Sequence, residues 1–256
     1  MTDRYLTPYR RLLLPTIAGA ISLAILLSLG FWQLDRLSWK EALIAKVERD
    51  VSADPVPAPG PGEWADLPPF EADYRHVSVT GRFVEGDVFY YTSLGYDRKG
   101  TYSGPGYMVY SPFEADEGWT VMVNRGFVPQ ELWGYGAEVY AGPAKWPGEK
   151  TLTGLLRRSE TPNWTTPAAQ EDKRIWFARD TGHMAQVLGA QSEKLAPYSI
   201  DLDAEFSGPD GLPQAGETVV RFKNDHLGYA LTWFGLAATL IGVYLTYAVA
   251  TLRKTY

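Results

Sequence analysis

Two apolar segments, one near each end of the 256-residue chain, restrict the folds open to it more than any other feature. The first runs from Leu12 to Leu34 without a charged residue, and the second runs from Leu227 to Leu252. About 20 apolar residues at a rise of 1.5 Å each cross a hydrocarbon core of roughly 30 Å. Both segments therefore predict transmembrane helices, at residues 12–34 and 227–252. Two spans return the chain to its starting side. Residues 1–11 and 253–256 then share one side, and residues 35–226 lie on the other. Those roughly 190 residues are enough for one domain with its own core. Each span meets water through a polar-aromatic motif. The first ends in Gly30-Phe31-Trp32-Gln33-Leu34-Asp35-Arg36, and the second begins behind Asn224-Asp225-His226. Trp32 and His226 are thus expected at the same membrane face.

Several function classes are excluded or disfavoured. The chain has no cysteine, which removes a disulfide framework, a thiolate metal site and a cysteine nucleophile. Its net charge of −6 and lack of a basic stripe argue against nucleic-acid binding. Arg4, Arg10 and Arg11 resemble the start of a signal peptide. However, the apolar run exceeds the usual h-region, and Ser28-Leu29-Gly30-Phe31-Trp32 offers no A-x-A cleavage pattern. An uncleaved anchor is expected. The short segment before it is unlike a mitochondrial transit peptide, which favours a bacterial inner membrane. Arg253 and Lys254 flank the far end, whereas Arg36, Lys40, Arg221 and Lys223 border the central domain. The positive-inside balance is nearly even. Long translocated domains largely escape that rule, so both termini are placed in the cytoplasm and the central domain in the periplasm.

Beyond the first span, Trp32, Arg36, Trp39, Lys40 and Leu43 recur at three- and four-residue spacing, on one helical face. The helix is expected to project to about Arg49 before the Pro-rich stretch Asp54–Gly62 stops it. The middle of the chain reads as β-structure. Predicted strands cover Tyr74–Phe83, Asp87–Thr92, Tyr107–Phe113, Trp119–Asn124, Thr151–Arg157 and Tyr198–Leu202. Gly104-Pro105-Gly106 reads as a turn, and Gly134–Pro147 and Asn163–Lys173 as irregular breaks. One amphipathic helix fits Arg179–Leu188, ended by Gly189. The predicted class is an α+β membrane protein. Two transmembrane helices flank a β-rich extracytoplasmic domain, a small barrel or sandwich, with a short helix.

Little in the chain supports catalysis. Neither an HExxH, a GxSxG, a P-loop nor a nucleotide-binding glycine pattern occurs. His76 alternates with Tyr74 and Ser78 on the polar side of a strand and reads as a surface or hydrogen-bonded histidine. His183, in the short helix, reads the same way. His226 differs by position, because it sits at the N-terminal edge of a span behind Asn224 and Asp225, either of which can cap the helix. The positive helix end disfavours imidazolium, and a neutral imidazole is what a haem iron requires. Tyr229, Ala230 and Trp233 follow at i+3, i+4 and i+7. An interfacial histidine bonded to lipid or to the neighbouring span explains the same position. Trp32 suits a membrane interface without any partner. Gln33 can snorkel or bond across to the second span. Arg36 and Lys40 can meet lipid phosphates or receive carboxylates such as porphyrin propionates.

The ordered motifs resemble the Surfeit locus protein 1 family, membrane factors for assembly of cytochrome c oxidase. The match is carried by Gly30–Arg36 with Trp39-Lys40, then Tyr74-Arg75 with Gly81-Arg82-Phe83, then Val123-Asn124-Arg125-Gly126-Phe127-Val128-Pro129. Trp176, Arg179-Asp180 and Met184-Ala185 follow, and last comes Asn224-Asp225-His226-Leu227-Gly228-Tyr229-Ala230-Leu231-Thr232-Trp233-Phe234-Gly235-Leu236-Ala237. The last motif and the VNRGFVP stretch are the specific ones. Residues 130–150 do not match the family's pattern.

The resemblance implies a non-enzymatic assembly factor that binds haem a at the outer membrane face and delivers it to subunit I. It makes His226 the expected haem-iron ligand and Trp32 and Gln33 expected pocket residues. Tyr229 and Trp233 are expected against the macrocycle, and Arg36 beside the propionates by position. Subunit I of the oxidase and the lipid bilayer are the expected partners, with haem a synthase a further candidate. The alternative is a membrane scaffold that holds nascent subunit I without binding haem itself.

Overall fold

The computed structural model describes residues 8–68, 72–96, 98–132, 146–190, 192–208, 211–218 and 224–253. The chain divides into two compact units. One comprises Met1–Lys46 with Arg221–Tyr256, and the other Val47–Val220.

The first unit is built from two long helices. Helix α1 spans Pro8–Ser52, and the C-terminal helix, α3, spans His226–Arg253. Both are long and apolar enough to cross a membrane. At 1.5 Å per residue, 45 residues extend about 67 Å, well past the apolar run. The charged continuation therefore stays helical to Ser52, one turn beyond the expected Arg49, before Pro55 and Pro57 impose an extended path.

The second unit is a β-barrel with short additions. Its strands are β1 (Val56–Pro57), β2 (His76–Phe83), β3 (Val88–Leu94), β4 (Gly104–Ala115), β5 (Thr120–Pro129), β6 (Lys150–Arg158), β7 (Ile175–Trp176) and β8 (Leu195–Leu202). Strands β2, β6, β8, β5 and β4 follow one another, and β2 pairs again with β4 to close the ring. Of the two expected architectures, the barrel is the one formed. Closure depends on β4 changing partners. Its first half, through Tyr110, pairs with β3, and its last residues pair with Gly81–Phe83 of β2.

Gly81 allows that change. A Cβ there would lie 2.8 Å from the Cα of Ala115 and closer still to the Glu114 carbonyl oxygen. Along β2, the inward residues Val77, Val79 and Phe83 alternate with polar neighbours. They join Phe113, Trp119, Val121, Leu152, Leu156, Tyr198 and Ile200 in one buried core.

The Gly104-Pro105-Gly106 stretch belongs to strand, contrary to its turn reading, with Pro105 opposite Ser93. The periodicity also missed β1 and β7, because two residues carry no period. The short helix, α2, runs Thr181–Val187, and Asp180 Oδ1 accepts from the His183 N–H at its start. Most of the expected 134–147 loop lies outside the described residues.

Candidate functional site

The two long helices meet along a seam that their sequences specify. On α1, Gly19, Leu23, Leu26, Gly30, Gln33 and Leu37 are buried or half-buried, at alternating four- and three-residue steps. On α3 the matching set is His226, Ala230, Trp233, Ala237, Leu240 and Tyr244. This is the repeat of a coiled-coil seam. Small residues let the helices approach. Gly30 lies against the Phe234 ring, and the Phe31 and Phe234 rings pack edge to face, 5.4 Å between centroids. At the other end, the hydroxyls of Thr16 and Tyr244 hydrogen-bond at 2.5 Å.

The polar end of this seam brings together two of the expected site residues. His226 Nδ1 lies 2.7 Å from Gln33 Oε1, across 193 residues of sequence. Gln33 is 9 % exposed, whereas Trp32 is 52 % exposed. One helical position turns the side chain by about 100°, which takes Trp32 off the seam. Tyr229 is likewise exposed, at 57 %. Trp233 is half-buried on the seam, and its indole Nε1 is buried without a hydrogen-bond partner among the described residues. Arg36 is exposed and lies over the Trp39 ring, 4.6 Å from its centroid. The Tyr229 N–H donates to the Asp225 carbonyl, while Asn224 Oδ1 is buried without a hydrogen-bond partner among the described residues.

The barrel unit concentrates its ionisable groups in structural pairs. Arg125, 3 % exposed, stacks near Phe83 and Trp146 and approaches Asp87 at 3.8 Å. Burial pushes the Asp87 carboxyl up, against the hydrogen bond from Ser111 and the Arg125 charge. Arg157 sits 3.6 Å from Asp201, which also accepts from the Thr218 hydroxyl. Sequence reading did not single out these pairs. The Val123–Pro129 motif contained the signal for the first of them, since an arginine within an apolar strand needs a buried partner.

The two remaining histidines are also accounted for. His183 Nδ1 accepts from Trp176 Nε1, and its Nε2 faces Glu171. His76 lies between the Ala53 carbonyl (2.7 Å) and Asp203 (2.8 Å). Among the described residues, no group of three or more His, Asp or Glu side chains could hold a metal ion.

The chain is similar to known proteins over most of its length. The model of the SURF1 family matches residues 20–238, from within α1 to within α3. Surfeit locus protein 1 of Homo sapiens is 35% identical over 222 residues, covering 82% of this chain and 69% of the human protein. The Xenopus tropicalis protein of the same name is 35% identical over 228 residues, covering 82% of this chain and 68% of its own. A SURF1-like protein of Rickettsia felis is 31% identical over 229 residues, covering 89% of this chain and 93% of its own.

Proposed function

The chain belongs to the SURF1 family, and from that premise we propose that it is an assembly factor for haem-copper cytochrome c oxidase. It binds haem a at the outer membrane face, with His226 on the iron, and delivers it to subunit I. The observation that carries this reading is the placement of His226. Its imidazole stands at the polar end of an apolar two-helix seam, with one nitrogen bonded to Gln33.

The residues present fit haem iron through one axial ligand. His226 Nε2 has no partner among the described residues, and the exposed rings of Trp32 and Tyr229 offer apolar surface nearby in sequence. When bound, haem a would supply an iron that takes an imidazole nitrogen. The Arg36 guanidinium, which has no ion pair among the described residues, is the group offered to a propionate. A single protein ligand suits a carrier, because the cargo must leave again.

The reading places both helices across the bacterial inner membrane and the barrel in the periplasm, where it meets nascent subunit I. Haem a synthase is the proposed donor. The protein acts without catalysing a reaction.

Purification from cells that make haem a tests the proposal. The expected result is a haem a absorption spectrum that co-purifies with the protein. Co-purification of oxidase subunits in the absence of haem would favour a scaffold that holds subunit I open. Reporters fused at each terminus test the topology, and a periplasmic signal from either one would reverse it.

A further inference from the structure

We infer that Gln33 is a positioning residue that sets which nitrogen of His226 meets the iron and how strongly it binds. The inference rests on the haem-binding role proposed above. Its foundation is the 2.7 Å contact between Gln33 Oε1 and His226 Nδ1, made by a side chain that is only 9 % exposed.

An amide oxygen can only accept a hydrogen bond, so the ring nitrogen facing it carries the proton. A neutral imidazole then keeps its lone pair on Nε2. A histidine that ligates a metal usually donates its other N–H to a carboxylate, a carbonyl or water, which fixes the tautomer and raises ligand basicity. Gln33 occupies that position from the opposite helix. The ligand is therefore oriented before any cargo arrives.

The chemical choice of glutamine also matters. A carboxylate would pull the Nδ1 proton harder and make the imidazole a stronger donor. It would also place a negative charge beside an apolar seam. A neutral amide gives orientation with moderate donor strength, which suits reversible binding. The low exposure of Gln33 restricts its side chain, and the hydrogen bond to His226 orients the amide oxygen.

Nitrogen-15 NMR of the haem-free full-length protein in detergent tests the tautomer directly. The three histidines are assigned by difference, using His226→Ala. Wild type is expected to show one tautomer at His226, with Nδ1 protonated. Gln33→Leu is expected to show both tautomers. With haem a bound, the ferrous iron–histidine vibration should rise in Gln33→Glu and fall in Gln33→Leu. Haem a affinity should fall about 10-fold or more in Gln33→Leu.

A wild-type spectrum with Nε2 protonated overturns the inference without reference to any variant, so a misfolded Gln33→Leu cannot protect it. Unchanged tautomer and vibration in a folded Gln33→Leu also overturn it. If His226→Ala loses haem a while the Gln33 variants match wild type, the positioning role alone fails. If His226→Ala binds as wild type does, the ligand assignment fails and the positioning role with it.

Discussion

Gly30 of α1 lies so close to Phe234 of α3 that a Cβ built on the glycine would stand 2.6 Å from the ring. The contact is one turn below the Gln33–His226 hydrogen bond on α1, so the spacing that admits the ring also admits the polar pair. Gly30→Leu would force the ring outward or the helices apart. Overpacking of this kind costs about 1–3 kcal/mol. The expected outcome is a lower unfolding temperature in detergent, together with loss of the single His226 tautomer. An unchanged His226 signal would separate the glycine contact from the polar pair.

The barrel's closure makes a sharper prediction. At Gly81 the obstructing atoms are backbone, the Glu114 carbonyl and the Ala115 Cα, and they cannot rotate away. Gly81→Ala is expected to destabilise the barrel by about 3 kcal/mol or more, because one strand must leave its register. Thermal unfolding followed by tryptophan fluorescence measures this. A variant that unfolds at the wild-type temperature would show that the β2–β4 pairing is not what holds the ring shut.

His76 gives the fold a pH dependence. Burial pulls its pKa down, but hydrogen bonds to the Ala53 carbonyl and to Asp203, together with the Asp203 and Asp54 charges, raise it and outweigh burial. Both ring nitrogens face acceptors, so both bonds are made only by the imidazolium. The folded pKa is therefore raised above the unfolded value of about 6.5. The stabilisation is fully present below pH ~6.5 and is lost as pH rises through the folded pKa. Wild type should lose stability on going from pH 6 to pH 8, and His76→Gln should lose less. Equal slopes for the two proteins would remove His76 as the source.

Arg125 and Asp87 form a buried pair whose members need each other. Arg125→Met leaves the Asp87 carboxyl with the Ser111 hydroxyl and the weaker influence of the Arg174 charge, but without its ion-pair partner. Breaking a buried pair from one side costs about 3–5 kcal/mol. The distance of 3.8 Å and the partial exposure of Asp87 place this case at the lower end. Adding Asp87→Asn to Arg125→Met should restore part of the loss, and a double variant no more stable than the single one would contradict the pairing.

The sequence exposed some features of this molecule and concealed others for physical reasons. The long helices were legible because Leu12–Leu34 and Leu227–Leu252 are uncharged apolar runs long enough to cross a membrane as helices. The six longer strands were legible as runs of aromatic and β-branched residues between Gly and Pro breaks, with period-two alternation clearest in Val77, Val79 and Phe83. Barrel and sandwich could not be told apart. Closure rests on a through-space pairing of Gly81 with Ala115, and local periodicity contains no such information. Gly104-Pro105-Gly106 resembled a turn because both residue types break regular structure, yet β4 accommodates them at its start.

At the site, His226 and Gln33 each stood out as polar residues beside apolar runs. Each was also legible as able to bond across to the other span, but nothing in the sequence singled out one as the partner of the other across 193 residues, because helix pairing is a property of the folded chain. The heptad spacing of Ala230 and Ala237 was the available signal for the seam. The His76–Asp203 contact, 127 residues apart, was hidden in the same way.

The central claim is that His226 binds the iron of haem a. Titration of purified full-length protein with haem a, followed at the Soret band, tests it most directly when wild type is compared with His226→Ala. The account predicts a shifted Soret band in wild type, and in the variant loss of that shift with at least about 10-fold weaker binding. An identical spectrum and affinity in His226→Ala would contradict it.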